Sequence, residues 1–155
     1  MAEDNCKIFV DADACPVKSE IAEVTRNYKN PVVYVASYNH AGEKTYGGEW
    51  VYVDAEKEEV DLYIVNHSKK GDLTVTQDIG LAGLLIPRGV HVISPRGRWL
   101  NEGNIDMALQ GRYLSAMERK AGGRTKGPRK FEEADRIHFS KELHDFLSKN
   151  EGISS

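Results

Sequence analysis

The chain has 155 residues, 40% of them hydrophobic, with a formal net charge of −3, which suits one globular domain with a real core and is short for two. No run approaches the roughly 18 consecutive apolar residues of a membrane span. The acidic start Met1-Ala2-Glu3-Asp4-Asn5 lacks the basic-then-apolar order of a secretory signal, so a cytoplasmic protein with no membrane partner is expected. The charge is unevenly spread. Residues 1–95 hold nine Lys and Arg against fifteen acids, residues 96–130 nine against three, and residues 131–155 three against six. An acidic body carrying one basic segment is a pattern that function has to explain.

Short β-type runs alternate with helical stretches, which predicts βαβ units around a parallel sheet of about five strands. Lys7–Val10 is the first strand. Val17, Ile21, Val24 and Tyr28 recur at helical spacing, and Asn30-Pro31 closes that helix. Val32–Ala36 is the second strand. Polar Ser37–Glu49, with Gly42, Gly47 and Gly48, is expected to be a mobile loop. Trp50–Val53, Leu73–Thr76 and Val90–Ser94 complete the strands, with helices at Glu56–Ser68 and Ile79–Ile86 between them. After Pro95 the strand pattern ceases. Ile105, Ala108, Leu109, Ala116 and Met117 predict one face of a longer helix. Residues 122–129 then form a Gly-rich loop, and Leu143, Phe146 and Leu147 mark a last helix opening at Ser140. The result is one α/β domain over 1–155 with a C-terminal helical portion and a basic loop at 121–130. Cys6 and Cys15 flank the first strand, too far apart for a disulfide, and are expected to be buried or inert thiols.

Ligands of open α/β sheets bind beyond the carboxyl ends of the strands, and acids gather there. Asp11 and Asp13 follow strand one, Asp54 follows strand three, and Asp78 follows strand four. Asp61 lies among Val60, Leu62, Ile64 and Val65, an apolar setting that an aspartate rarely occupies without a partner. Adjacent carboxylates raise each other's pKa unless a cation or a shared proton compensates. Three or four of them around one point suit Mg2+ or Mn2+, with Asp11, Asp13 and Asp78 as ligands. Plainer readings stand beside these: Asp78 as the N-cap of the helix at Ile79, Asp54 and Asp72 as turn acids, Asp61 paired with a base, Glu20 facing solvent.

The basic segment supplies a complementary set. Arg96 and Arg98 follow strand five, Arg112 and Arg119 share a helix face with Lys120 alongside, and Arg124, Lys126, Arg129 and Lys130 crowd the Gly-rich loop. Such a set suits a polyphosphate backbone; the alternative is a solvated loop folded back on the acidic body. Trp99 and Tyr113 are candidates for base stacking or for packing against a neighbouring helix.

Four motifs in order, V-D-A-D-A-C-P-V-K at Val10–Lys18, G-D-L-T-V-T-Q-D-I-G-L-A at Gly71–Ala82, P-R-G at Pro95–Gly97 and G-G-R-T-K-G-P at Gly122–Pro128, resemble the YaiI/YqxD family of bacterial proteins, which is regarded as PIN-like. The resemblance runs from about Lys7 to Leu147. It implies a PIN-like three-layer fold and metal-dependent ribonuclease activity: Asp11, Asp61 and Asp78 match the general PIN acids, and Asp13 is particular to this family's D-A-D. Leu62 stands where a second helix-two acid is common. Under this reading Asp11, Asp13, Asp61 and Asp78 are catalytic, Mg2+ or Mn2+ is the cofactor, and RNA or another nucleic acid is the partner, with a homo-oligomer left open. Two alternatives compete: a non-catalytic nucleic-acid-binding or regulatory module with the same fold, and a phosphatase of the haloacid-dehalogenase type, with Asp11 and Asp13 as nucleophile and acid/base.

Overall fold

The computed structural model describes residues 6–42, 47–56, 58–122 and 129–153. Strand β1 (Ile8–Asp11) is buried through Ile8, Phe9 and Val10, the continuous apolar run of a strand covered on both faces. Strand β2 (Val32–Ser37) is buried along its whole length. Strands β3 (Glu49–Val53), β4 (Leu73–Val75) and β5 (His91–Ile93) extend the sheet in parallel, in the order β3-β2-β1-β4-β5-β6. The edge strand β6 (Trp99–Leu100) is antiparallel to β5. The sheet therefore has six strands rather than five. Two residues after a Pro-Arg-Gly turn carry no alternation that a pattern could reveal.

Helices cover both faces, each fed by alternate strand residues. Ile8, Val10, Tyr34, Leu73 and Val75 pack with Ile21 of α1 (Lys18–Thr25) and with Phe139, Leu143 and Leu147 of α5 (Glu133–Ile153). Phe9, Val33, Val35 and Val92 pack with Ile64 of α2 (Glu59–His67), Leu81 and Leu85 of α3 (Ile79–Leu85), and Ile105 of α4 (Ile105–Lys120). Helix α5 opens seven residues before Ser140, because its first turns bury a charged residue, Asp135, where an apolar one would have signalled a helix. Helix α4 also departs from the expected amphipathic face: Ile105 is its one buried residue, and Ala116 and Met117 are exposed. Among the described residues no helix is long and apolar enough to cross a membrane.

The P-R-G turn owes its glycine to packing. Gly97 has φ +84°, and a Cβ there would lie 3.0 Å from the backbone N of Phe139 in α5. Asp72, read as a turn acid, is a buried clamp: its two carboxylate oxygens accept the N–H groups of Lys7 (3.1 Å) and Lys69 (2.8 Å), tying the entrances of β1 and β4 together. Cys6 and Cys15 are free, as expected. Burial pushes their thiols up to about 12 and about 11, so neither is a reactive thiolate at neutral pH.

Candidate functional site

From β1 the chain runs outward to β2 and β3 on one side and to β4 and β5 on the other. That reversal opens a crevice at the carboxyl ends of β1 and β4. Asp11 is the last residue of β1, and its Oδ2 accepts a 2.8 Å hydrogen bond from the Thr76 hydroxyl at the end of β4. The same hydroxyl oxygen accepts the Asp78 N–H at 3.0 Å. Thr76 therefore joins the two acid-bearing strand ends, a role the sequence reading missed. Asp78 caps α3, its Oδ1 accepting the Leu81 N–H at 3.1 Å. The capping reading and the site reading of Asp78 are thus compatible: the cap fixes the carboxyl group where it faces the crevice.

Asp61, in the first turn of α2, meets Asp78 through a side-chain hydrogen bond. Burial first, then the charges of Asp78 and Asp11, push its pKa up to about 6. Asp11 is raised as well, by burial above all, with Asp78 and Asp13 adding to it and the Thr76 hydroxyl working against it. Asp13 lies in the 3-10 turn after β1 and is directed to the opposite wall. Its Oδ1 accepts the Ser37 N–H at 2.8 Å and lies 3.6 Å from the His40 imidazole.

These four aspartates line one cleft of about 600 Å3, with Glu56, Glu58, Leu62 and Arg112 among its other walls. The half-exposed Leu62 is part of the wall, and the further acids come from the turn before it. Glu58 has φ +79°, an unfavourable backbone for a non-glycine residue, and its charge adds to the rise at Asp61. Asp54 is exposed and is not among the cleft residues. A second hollow of about 360 Å3 shares Asp11, Asp78 and Arg112 with the first and adds Ala14, Gln77 and Ile79. Arg112 thus borders both. Its guanidinium lies 3.6 Å from Asp78 Oδ1.

Two carboxyl groups in contact must share a proton or a cation. The all-oxygen set of Asp11, Asp61 and Asp78 has the chemistry that hard divalent cations prefer. Among the described residues, however, no three His, Cys, Asp or Glu side chains stand close enough to form a finished ligand group. The donors fit such an ion in kind, and the cleft as it stands holds them as a hydrogen-bonded pair beside a third acid.

The basic residues divide. Arg112 touches the acids of the cleft through Asp78. Arg96 and Arg129 both bind Asp135, at 3.0 Å and 2.5 Å, and Arg96 also donates to the Arg129 carbonyl and lies over the Phe131 ring. Those two guanidinium groups serve the junction between the P-R-G turn and α5. Arg98, Arg119, Lys120 and Lys130 are exposed. Arg124 and Lys126 lie outside the described residues. Trp99 packs beside Phe146 and donates its indole N–H to Glu142 at 2.8 Å, whereas Tyr113 is largely exposed on α4. Glu20 pairs with Arg136 at 3.3 Å.

A family model described as an uncharacterised bacterial conserved region, the YaiI/YqxD family, matches residues 9–149. The chain is 48% identical to a UPF0178 protein of Bacillus cytotoxicus over 147 residues, 95% of this chain and 96% of that protein. It is likewise 48% identical to a UPF0178 protein of Bacillus velezensis, over 96% of this chain and 89% of the relative. A UPF0178 protein of Listeria monocytogenes is 45% identical over 91% of this chain and 97% of its own length. No solved structure matches. The matched region takes in all but the first residue of β1, α2, β4 and the whole acid cleft, and by that match the chain belongs to the YaiI/YqxD family.

Proposed function

We propose that the protein is a divalent-metal-dependent nuclease hydrolysing RNA phosphodiesters at the crevice between β1 and β4. The observation that carries this reading is the contact of Asp61 with Asp78 beside the half-buried Asp11. Carboxyl groups gathered against their own repulsion mark a site where the opposing free energy is returned on binding or in reaction. The resemblance to PIN-like proteins points the same way.

Asp11, Asp61 and Asp78 would hold Mg2+ or Mn2+, which when bound polarises a phosphoryl oxygen and acidifies a water. The chain's own groups supply the rest. Asp61, pushed up to about 6 in the metal-free cleft, changes protonation close to neutral pH and so can give up its proton as the cation binds. Arg112, itself exposed and bordering both hollows beside Asp78, is placed to meet a phosphate entering among the acids. Thr76 holds Asp11 in place. Asp13, tied to Ser37 N–H and near His40, shapes the opposite wall.

Labelled single-stranded RNA incubated with Mn2+ should be cut by the wild type and left intact by Asp11→Asn and Asp78→Asn. RNA bound but not cut by the wild type would overturn the nuclease reading and favour the non-catalytic module, to which the open spacing of the acids lends support. Release of inorganic phosphate from small phosphomonoesters, with a phosphoryl group trapped on Asp11, would overturn it in favour of the phosphatase.

A further inference from the structure

Helix α4 is attached to the body by one face. Ile105, Ala108, Leu109 and Arg112, which recur at i, i+3, i+4 and i+7, turn toward α3: Ile105 and Leu109 join the core cluster there and Arg112 reaches Asp78. The opposite face carries Met107, Leu114 and Met117, which are 78%, 57% and 50% exposed. With Gln110, and with Ala121 just past the end of the helix, they follow the a/d spacing of a coiled-coil seam, a at 107, 114 and 121 and d at 110 and 117. Large apolar side chains in such a row are uncommon on a surface that stays wet.

We propose that this outer face is the seam of a homodimer, in which α4 of a second copy of this chain lies antiparallel to the first. The occupant follows from the charges at the two ends of the helix. Asp106 stands in the first turn, and Arg119 and Lys120 stand in the last. An antiparallel partner sets each acidic first turn against a basic last turn and opposes the two helix dipoles. A parallel partner would set like against like. Asp106 and Lys120 both flank the seam at g positions, the positions that meet one another across an antiparallel pair.

Gly111 adds a second observation. A glycine in a helix interior is destabilising relative to alanine, and among the described residues a Cβ there would meet nothing beyond its own helix backbone. Next to the seam, its small size lets a partner helix approach closely. This pairing is independent of the reaction proposed above, since Met107, Leu114 and Met117 line neither hollow.

Sedimentation equilibrium of the full chain over a concentration series tests the assembly. The wild type should be a dimer. Leu114→Glu should raise the dimer Kd roughly tenfold or more while leaving the circular dichroism spectrum unchanged, because the side chain is not part of the core. Asp106→Lys and Lys120→Asp should each weaken association, and the double exchange should restore it. Three results would overturn the proposal: a wild type that stays monomeric throughout the series, a dimer indifferent to Leu114→Glu, or a double exchange no better than either single change.

Discussion

Asp61 and Asp135 each occupy the first turn of a helix packed on the central sheet, and their settings are opposite. Asp135 is 4% exposed and fully answered: it accepts from Arg129, from Arg96 and from the Glu132 N–H. Those donors, Arg129 foremost, hold its pKa down to about 2. Asp61 is answered by another acid, and burial together with Asp78 and Asp11 raises it to about 6. The first arrangement fastens the P-R-G turn to α5. The second maintains a strained cluster at the sheet's switch point, which is the arrangement expected of a binding or reacting centre.

The largest expected effect separates the two directly. Asp61→Asn and Asp11→Asn should lower the rate of RNA cleavage by about a hundredfold or more, the size of a lost acid/base or metal-ligating group. Asp135→Asn should leave the rate per folded molecule near that of the wild type, as measured by single-turnover cleavage on protein whose folded fraction is known. Equal losses in both would dissolve the distinction.

Stability should move the other way. Asp135→Asn removes the buried charge that Arg96 and Arg129 face and puts an NH2 donor where one acceptor oxygen stood, so its thermal midpoint should fall clearly below that of the wild type. Asp61→Asn removes a repelled charge and should be more stable than the wild type at pH 7. Because solvent screens this part-exposed carboxyl, the gain should be about 1 kcal/mol.

The pH dependence follows with opposite signs. The folded pKa of Asp61 lies above its ordinary value of 3.8. Its contribution is therefore present in full below about 4 and is lost as pH rises through about 6. The advantage of Asp61→Asn should vanish in acid. The folded pKa of Asp135 lies below 3.8, so its contribution is present above about 4 and is lost as pH falls through about 2. Denaturant melts of both variants across that range check the two signs together. If the cleft binds Mn2+, the ion should raise the wild-type midpoint at pH 7 and do so less in Asp61→Asn.

Much of this was legible in the sequence, for physical reasons that also mark the limits. Asp11 and Asp78 could be placed because a strand end is visible wherever an apolar run stops, and Asp61 because an acid among Val60, Ile64 and Val65 breaks an apolar face. Thr76 was hidden: a threonine ending a strand has nothing unusual about it until its hydroxyl is seen between two acids. The fate of the arginines was hidden too. A charge run reports composition, and nothing local tells that Arg96 will meet an acid 39 residues away. Glu58 escaped because its effect comes from an unusual backbone angle and not from a motif. The late start assigned to α5 has the same origin as the unforeseen partner of Arg96, since Asp135 takes the place of the first apolar contact.

The smallest predicted effect tests how Arg112 is joined to the acid cleft. Gly80, in the first turn of α3, leaves room for that guanidinium: a Cβ there would lie 2.7 Å from Arg112 Nη1 and 3.2 Å from Asp78 Oδ1. The first clash is with the far end of a flexible, exposed side chain, so Gly80→Ala should displace Arg112 without harming the fold. Alanine's better helix propensity should keep stability within about 0.5 kcal/mol of the wild type. If Arg112 holds a substrate phosphate, Gly80→Ala should raise the KM for RNA a few-fold, Arg112→Ala should do the same, and the two together should do little more than either, because both remove one contact. Additive effects would mean that Gly80 acts through Asp78, placing its influence with the acids and leaving Arg112 as their counter-charge alone.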